Sequence, residues 1–311
     1  MTVGSDRSPP ATPEIFDRAL LQSRRNRVAE HAHRHDFLLK RVSEDVCERL
    51  SIIRRDFAYA GNVGAHHGLV SRHLRTTGKI KHIVDTDSAD RVLARSDGPI
   101  VRADEEALPF AAESLDLIVS GLSLHLVNDL PGSLVQIRRA LKPDGLFLGA
   151  LLGGETLKEL REAWLIAEDE VMGGASPRVA PFADVKDLGG LLQRAGFALP
   201  VADSDVVTVR YATALDLMRD IKGMGASNML TARRRVPVTR RLLLRAADVY
   251  SERFSEADGR VPATFEIITL TAWAPHDNQQ KPLAPGSATM RLADALGVNE
   301  QPAGEKTPRK T

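Results

Sequence analysis

Residues 103–130, ADEEALPFAAESLDLIVSGLSLHLVNDL, decide the fold, because they combine a polar turn, a buried strand and the loop that leaves it. Leu115 and the run 117–119 are almost continuously apolar, which is typical of a strand covered on both faces of a parallel sheet. In an open α/β sheet, ligands bind beyond the carboxyl ends of the strands. The residues from Ser120 to His125 are therefore predicted to face the ligand.

The turn before this strand carries two carboxylates followed by an apolar wedge. Asp104 and Glu105 precede Leu108, Pro109 and Phe110. Such a turn suits a purine, whose amino group can donate to a carboxylate while apolar side chains cover the faces of its rings. The same residues equally suit an acidic surface turn packed by Phe110, so the turn alone leaves both interpretations open.

Composition limits what the chain can be. Its 311 residues are 43% hydrophobic, which is enough for a sizeable core, and 42 Lys and Arg residues balance 41 Asp and Glu residues. A formal net charge of +1 gives no global attraction to nucleic acid or anionic lipid. Cys47 is the one cysteine, which excludes an internal disulfide and fits a reducing compartment. No apolar run is long enough to cross a membrane, so the sequence predicts a cytoplasmic protein.

Helical and strand periodicities alternate along the chain, which is the pattern of a doubly wound α/β sheet. The sequence predicts a mostly parallel seven-stranded sheet with a helical insertion or lid. The predicted strands are 57–63, 80–84, 100–102, 115–119, 146–152, 206–211 and 265–273. The predicted organisation is a flexible N-terminus (1–13), one domain (14–275) with N-terminal helices (14–53), a core sheet (57–211 and 265–273) and a helical lobe (212–257), and an extended or disordered tail (276–311).

The first predicted strand runs into a glycine turn, GNVGAHHG, at residues 61–68. A turn of this kind before a helix offers backbone N–H groups and a positive helix end to a polar ligand. Gly64 and Gly68 do not complete a GxGxxG motif, and a lone glycine turn is more often only a turn. Asp85 follows the second predicted strand, the position from which a carboxylate holds the ribose hydroxyls of a nucleotide-type cofactor.

Taken in order, the glycine loop, Asp85, ADEEALPF and the turn LKPDG (141–145) resemble the class I S-adenosylmethionine-dependent methyltransferases. A closer resemblance covers nearly the whole chain and is to the methyltransferase-fold assembly factors of respiratory complex I, a family of mitochondria and related bacteria. Its segments are IFDRALL (15–21), ADEEALPF (103–110), GLSLHLVNDLP (121–131), LGGETLKELR (152–161), PFADVKDLGGLLQRAGF (181–197), IKGMGASN (221–228), DGRVPATFEI (258–267) and PGSAT (285–289).

This resemblance implies an S-adenosylmethionine site and the hydroxylation of an arginine in the iron-sulfur subunit of complex I. The near-zero net charge and the absence of a long apolar run predict no nucleic-acid partner and no transmembrane segment, and the expected location is the bacterial cytoplasm, peripheral to the inner membrane through the partner that the resemblance implies. Asn62 replaces an acidic residue and His66 replaces a glycine of the superfamily loop, and both changes are expected to weaken cofactor contacts. The cofactor-binding residues carried over are Asn62, Gly64, Gly68, Asp85, Asp104, Glu105 and Ser120, with no metal ligands.

His125 is the histidine of the loop after the fourth strand, where a neutral imidazole would orient or deprotonate a substrate. The alternative is a packed histidine beside Leu124 and Leu126. Further along, two glycines precede Thr156 and Glu159, whose spacing predicts a capping box. This segment is interpreted either as a hinge with a capped helix or as a lid over the cofactor.

Three function classes remain open from the sequence. The first is an enzyme that modifies a protein side chain during complex I assembly. The second is a methyltransferase that acts on a small molecule or a carrier protein, such as malonyl-acyl-carrier protein. The third is a non-catalytic assembly chaperone whose cofactor site has degenerated.

Overall fold

The structure is a computed structural model that describes residues 14–280 together with Met290, Asp294 and residues 297–298. The predictions for residues 1–13 and for most of the tail 276–311 lie outside the described residues. The chain divides into a first unit that ends at Pro275 and a second that begins at His276. The strands and helices below belong to the first unit.

Seven strands in the described residues form one sheet, in the order β3-β2-β1-β4-β5-β7-β6. The first five strands are mutually parallel, whereas β7 is antiparallel to both β5 and β6. The predicted doubly wound, mostly parallel sheet is therefore confirmed. The strands are β1 (Phe57–Val63), β2 (Ile80–Asp87), β3 (Ile100–Arg102), β4 (Leu115–Gly121), β5 (Leu141–Leu152), β6 (Ala198–Tyr211) and β7 (Val261–Trp273).

Helices cover both faces of the sheet. One core cluster joins Leu117 and Val119 to α2, α3, α6, α8 and α9, and a second joins Ile118 to α5 and α7. All three side chains are fully buried, because alternate residues of a strand point to opposite faces. The helices are α1 (Arg18–Val28), α2 (Phe37–Ile52), α3 (Leu69–Thr76), α4 (Asp90–Leu93), α5 (Leu130–Ala140), α6 (Lys158–Met172), α7 (Val185–Arg194), α8 (Ala214–Gly223) and α9 (Arg240–Phe254).

Two predicted local features are wrong. LKPDG is not a turn before β5 but an irregular start to it, because Leu115 pairs with Leu141 while Leu117 pairs with Leu146. The capping box is also absent, since α6 begins after Leu157, which has a φ of 55° and makes no side-chain cap. Glu159 instead accepts hydrogen bonds from Thr264 of β7, at 3.2 Å from its backbone N, and so ties α6 to the sheet.

The N-terminal helix α1 lies across the carboxyl edge of the sheet. Asp17 caps its first turn by accepting from the backbone N of Leu20 at 3.0 Å. Gln22 donates to the backbone O of Ser88, which follows β2, at 2.6 Å. Arg18 donates to the backbone O of Leu126, which follows β4, at 3.0 Å. These contacts place α1 directly over the edge at which the fold binds ligands.

Within the part of the chain that the structure describes, no helix is both long enough and apolar enough to cross a bilayer.

Candidate active site

The loop between β1 and α3 depends on two glycines in the left-handed region. Gly64 has a φ of 66°, and a Cβ added there would lie 2.1 Å from the side chain of Ser123. Gly68 has a φ of 76°, precedes α3 directly, and an added Cβ would lie 2.6 Å from Oγ of Ser96. Both glycines are therefore required by the packing of the protein against itself.

His66 fills the space above this loop. Its backbone, at a φ of 52°, donates from N to the Asp87 carboxylate at 3.0 Å. Its Nε2 donates to the backbone O of Gly121 at 3.0 Å. Burial, helped by the positive charge of Arg25, lowers the pKa of His66 to about 3. The imidazole is thus neutral near pH 7.

Asp85 lies fully buried inside the sheet and not in the cleft. Its carboxylate accepts from Nδ2 of Asn62 at 2.8 Å and from the hydroxyls of Ser71 and Ser96. Nη2 of Arg75 lies 3.7 Å away. Both carboxylate oxygens therefore serve internal contacts that join β1, β2 and α3. Asn62 keeps one buried atom, Oδ1, without a hydrogen-bond partner among the described residues.

Asp87, two residues further on, ends β2 and faces the cleft. Its carboxylate accepts from the backbone N of Ala89 at 2.8 Å and from that of His66 at 3.0 Å. Nη1 of Arg25 lies 3.4 Å from its Oδ2. Burial raises the pKa of Asp87, and the charge of Arg25 opposes that rise. The carboxylate at the cleft end of β2 is thus Asp87.

Asp104 and Glu105 are both paired with Arg18. Nη2 of Arg18 lies 2.8 Å from Oδ1 of Asp104 and also contacts Glu105. Glu105 is 1% exposed, accepts from the hydroxyl of Ser123, and lies 3.6 Å from Nη1 of Arg25. Burial alone raises the pKa of Glu105, but Arg18 and Arg25 outweigh burial and lower it to about 2. Glu105 is therefore ionised and bound by two guanidinium groups of α1.

Ser120 is buried within β4, where its hydroxyl donates to the backbone O of Val63 at 2.8 Å. This bond links β4 to β1.

His125 lies in a 3-10 helix of one turn, Leu124–Leu126, which follows β4, and its side chain lines two cavities. Its ring packs edge-on against Phe182, with ring centroids 5.6 Å apart. Burial, assisted by the charge of Arg25, lowers the pKa of His125 to about 3. Its buried Nδ1 has no hydrogen-bond partner among the described residues. A neutral imidazole with an unused nitrogen is suited to accept a hydrogen bond from a ligand, whereas a pKa this low makes it a weak proton acceptor near pH 7.

The two cavities differ in size and lining. The smaller, of about 110 Å³, lies beneath α1 and is lined by Arg25, His66 and His125 among others. The larger, of about 510 Å³, is mainly apolar, with Trp164 and Phe182 in its wall. No carboxylate of the described residues lines the larger cavity. His125 belongs to the wall that both cavities share, together with Leu38, Leu126, Leu152, Met224 and Ala226.

Among the described residues, no three His, Cys, Asp or Glu side chains come together as a site for a metal ion.

Comparisons with known proteins agree with this fold. A model of the methyltransferase domain family matches residues 62–149. The crystal structure of the YcgJ protein of Bacillus subtilis superposes with a TM-score of 0.52 at 13% identity, over 76% of this chain and 99% of that chain. The sheet order, the cleft position and this domain match define a methyltransferase-fold protein.

Two curated relatives extend the match beyond that domain. The mitochondrial arginine-hydroxylase NDUFAF5 of Rattus norvegicus is 43% identical over 300 residues, which are 94% of this chain and 86% of the relative. The malonyl-[acyl-carrier protein] O-methyltransferase of Halorhodospira halophila is 33% identical, over 94% of this chain and 99% of the relative. The chain belongs to the family of methyltransferase-fold enzymes that contains the mitochondrial arginine-hydroxylase.

The cleft in this conformation does not fit the adenosyl cofactor of that fold. The carboxylates that face it, Asp87, Asp104 and Glu105, are all engaged by guanidinium groups of α1. The remaining space of about 110 Å³ is well below the roughly 300 to 1,000 Å³ of pockets that enclose drug-sized ligands. Arg25 and His66 occupy the volume between the loop and α1.

The structure brings some of the predicted site residues together and separates others. Asp104, Glu105 and His125 lie at the cleft or its adjoining cavities, whereas the side chains of Asn62, Asp85 and Ser120 bond within the sheet, and Gly64 and Gly68 shape the loop. Sequence reasoning missed the involvement of Arg18 and Arg25, for which a basic helix face was the available signal. It also missed Asp87, which lies two residues beyond Asp85.

Proposed function

We propose that this protein binds S-adenosylmethionine and hydroxylates an arginine of the iron-sulfur subunit of respiratory complex I, a two-electron oxidation in which an external oxidant such as dioxygen, with a reductant for its second oxygen atom, supplies the oxygen. The observation that supports this proposal most directly is the 43% identity to an arginine-hydroxylase, which extends over 94% of the chain. The similarity thus includes α1, the helical lobe and β7, all of which lie outside the matched domain of residues 62–149. The proposed place of action is the bacterial cytoplasm, at the membrane that holds the partner complex.

The larger cavity is the proposed entrance for the target side chain. Apolar walls suit the aliphatic stem of an arginine, which buries its methylene groups, whereas Arg24, Arg178 and Lys222 in the same wall oppose the passage of its positive charge. His125 stands at the inner end of that path with Nδ1 unused. Its proposed role is to orient the target by accepting a hydrogen bond at Nδ1, because burial keeps its imidazole neutral at pH 7.

The intact mass of the iron-sulfur subunit tests this function. In cells that contain the gene we expect the subunit to carry the extra mass of one oxygen atom, and in cells that lack it we expect none. A strain with His125→Asn should also lose the added mass, whereas His31→Asn, the same change at an exposed histidine, should retain it. An unchanged mass after gene deletion refutes the proposed function.

A second candidate function is methyl transfer to an acyl-carrier substrate. The relative from Halorhodospira halophila supports it, and so does the larger cavity, whose apolar lining without carboxylates among the described residues suits an acyl chain. The phenotype of a deletion strain separates the two candidates. A requirement for biotin favours the carrier-protein substrate, whereas a loss of complex I activity with normal growth without biotin favours the protein arginine.

A further inference from the structure

We propose that α1 is a displaceable strap whose arginines compete with the adenosyl cofactor for the same carboxylates. The cofactor then binds only when α1 leaves the carboxyl edge of the sheet. This inference rests on the proposed function for the identity of the cofactor.

The competition follows from where the two guanidinium groups lie. Arg25 is 3% exposed and stands between Asp87 and Glu105, 3.4 Å and 3.6 Å from their oxygens. Arg18, seven residues earlier, contacts Asp104 and Glu105. Residues seven apart share one face of a helix, so a single face of α1 covers all three carboxylates.

Those carboxylates occupy the positions at which this type of sheet holds a nucleoside. Asp87 ends β2, where a carboxylate accepts from ribose hydroxyls, and Asp104 follows β3, beside the predicted purine turn. The β1–α3 loop lies between them, and His66 of that loop donates from its backbone N to Asp87. A nucleoside and Arg25 therefore cannot occupy this space together.

The contacts that hold α1 in place can be replaced by contacts with water or with a ligand. Of the residues of α1, Leu21 is the buried apolar one, and the other contacts are largely hydrogen bonds and ion pairs. Asn26 donates to Asp90 at 2.7 Å, and Gln22 donates to the backbone O of Ser88 at 2.6 Å. Water can replace such bonds at small net cost, and a buried ion pair gains little beyond the desolvation of its charges. A ligand that satisfies the same carboxylates can therefore displace the helix.

The strap also accounts for the small free volume at this edge. Apparent affinity falls in proportion to the fraction of molecules whose cleft is open. Removal of the Arg25 guanidinium raises that fraction, because it leaves Asp87 and Glu105 without the partner that holds α1 down. His66 is part of the loop and stays in place when α1 leaves, so it is a separate obstacle.

The test is calorimetric titration of the full chain with S-adenosylhomocysteine. We expect Arg25→Met to bind at least tenfold more tightly than the natural protein, and Arg27→Met, the same change at an exposed position of the same helix, to bind like the natural protein. An Arg25→Met protein that is folded but binds no more tightly overturns the proposal, and so does an absence of binding in every variant.

A second variant tests the strap with both arginines of α1 in place. Cysteines at positions 26 and 90, in a Cys47→Ser background, can be joined by a short thiol crosslinker that holds α1 in place. We expect the crosslinked protein to bind at least tenfold more weakly than the same protein before crosslinking, and equal binding overturns the proposal. The mass of the iron-sulfur subunit is a separate readout, so a failed function and a failed strap are distinguishable.

Discussion

At the scale of single residues, the two uncharged imidazoles of the cleft make stability depend on pH. Burial lowers the pKa of His66 to about 3, from an ordinary value of 6.5. Because the folded pKa is the lower one, the stabilisation is complete above pH 6.5 and is lost as the pH falls toward 3. His125 behaves in the same way.

We therefore expect His66→Asn to lose less stability than the natural protein between pH 6.5 and pH 5. Asn tolerates the positive φ of this position, and it does not titrate. The expected difference is about 2 kcal/mol, because one pKa unit corresponds to about 1.4 kcal/mol. Urea unfolding at both pH values measures it, with His31→Asn as the control at an exposed histidine. Identical pH dependence in His66→Asn and the natural protein contradicts the expectation.

Asp85 gives a second prediction at this scale. Asp85→Ala removes the acceptor of Asn62, Ser71 and Ser96, and each buried donor left unpaired costs about 1 to 3 kcal/mol. We expect the free energy of unfolding to fall by at least 3 kcal/mol, and Asp97→Ala, which removes an exposed partner of Arg72, to change it little. The opposite outcome is an Asp85→Ala protein that keeps its natural stability and loses only its affinity for the cofactor. That outcome supports the prediction from the sequence that Asp85 binds the ribose hydroxyls.

The difference between Asp85 and Asp87 shows how far sequence reasoning reaches into the site. The predicted second strand ends at residue 84, which puts Asp85 at the cleft, whereas β2 continues to Asp87. Side chains two apart lie on the same face of a strand. Asp87 therefore lies on the same face of β2 as Asp85, two residues nearer the carboxyl end of the strand. The residue type and the strand were predictable, but the end of the strand was not.

At the scale of elements, the segment after β5 is fixed to the sheet rather than free as a hinge. Gly153 donates from N to the backbone O of Glu266 at 2.9 Å, and Leu157 donates to that of Thr264 at 2.7 Å. A Cβ added to Gly153 would lie 2.5 Å from the side chain of Glu266, whereas at Gly154 the nearest atom is 4.0 Å away. A methyl group therefore fits at position 154, whereas at position 153 it would have to displace the side chain of Glu266.

We expect Gly153→Ala to lower the free energy of unfolding by about 1 to 3 kcal/mol, the usual cost of forcing an atom into a packed site. Glu266 would have to give up its bond from the backbone N of Glu155. Gly154→Ala is the matched control and should cost at most about half as much. Thermal unfolding of both variants measures the difference, and equal melting temperatures contradict the assignment of a close approach at Gly153.

Periodicity predicted the type and order of the main elements because the strands and helices bury regular faces. The strand predicted at 57–63 is β1, Phe57–Val63, and the strand predicted at 100–102 is β3. The contacts of α1 had no such signal. Arg18 meets Asp104 86 residues later, and Arg25 meets Asp87 62 residues later. A pattern within one helix reports its basic face but not which carboxylates that face meets.

At the scale of the whole molecule, β7 completes the sheet. It pairs with β5 on one side and with β6 on the other. We expect a chain ending at residue 257, which lacks β7, to aggregate, because β6 loses its partner and β5 presents an unpaired buried edge. A chain ending at Pro275 keeps β7 and should unfold cooperatively. A soluble, cooperatively folded chain ending at residue 257 contradicts this expectation.

The place of β7 in the sheet also determines when β6 can pair during synthesis of the chain. Its residues, 261–273, form the last strand of the part of the chain that the structure describes, yet they lie inside the sheet, with β6 outside them. While the nascent chain emerges, residues 198–211 wait without a strand to pair with until about fifty further residues have left the ribosome tunnel. During that interval the exposed backbone of β5 and β6 is a surface for chaperones, and a pause in translation before residue 261 lengthens the exposure.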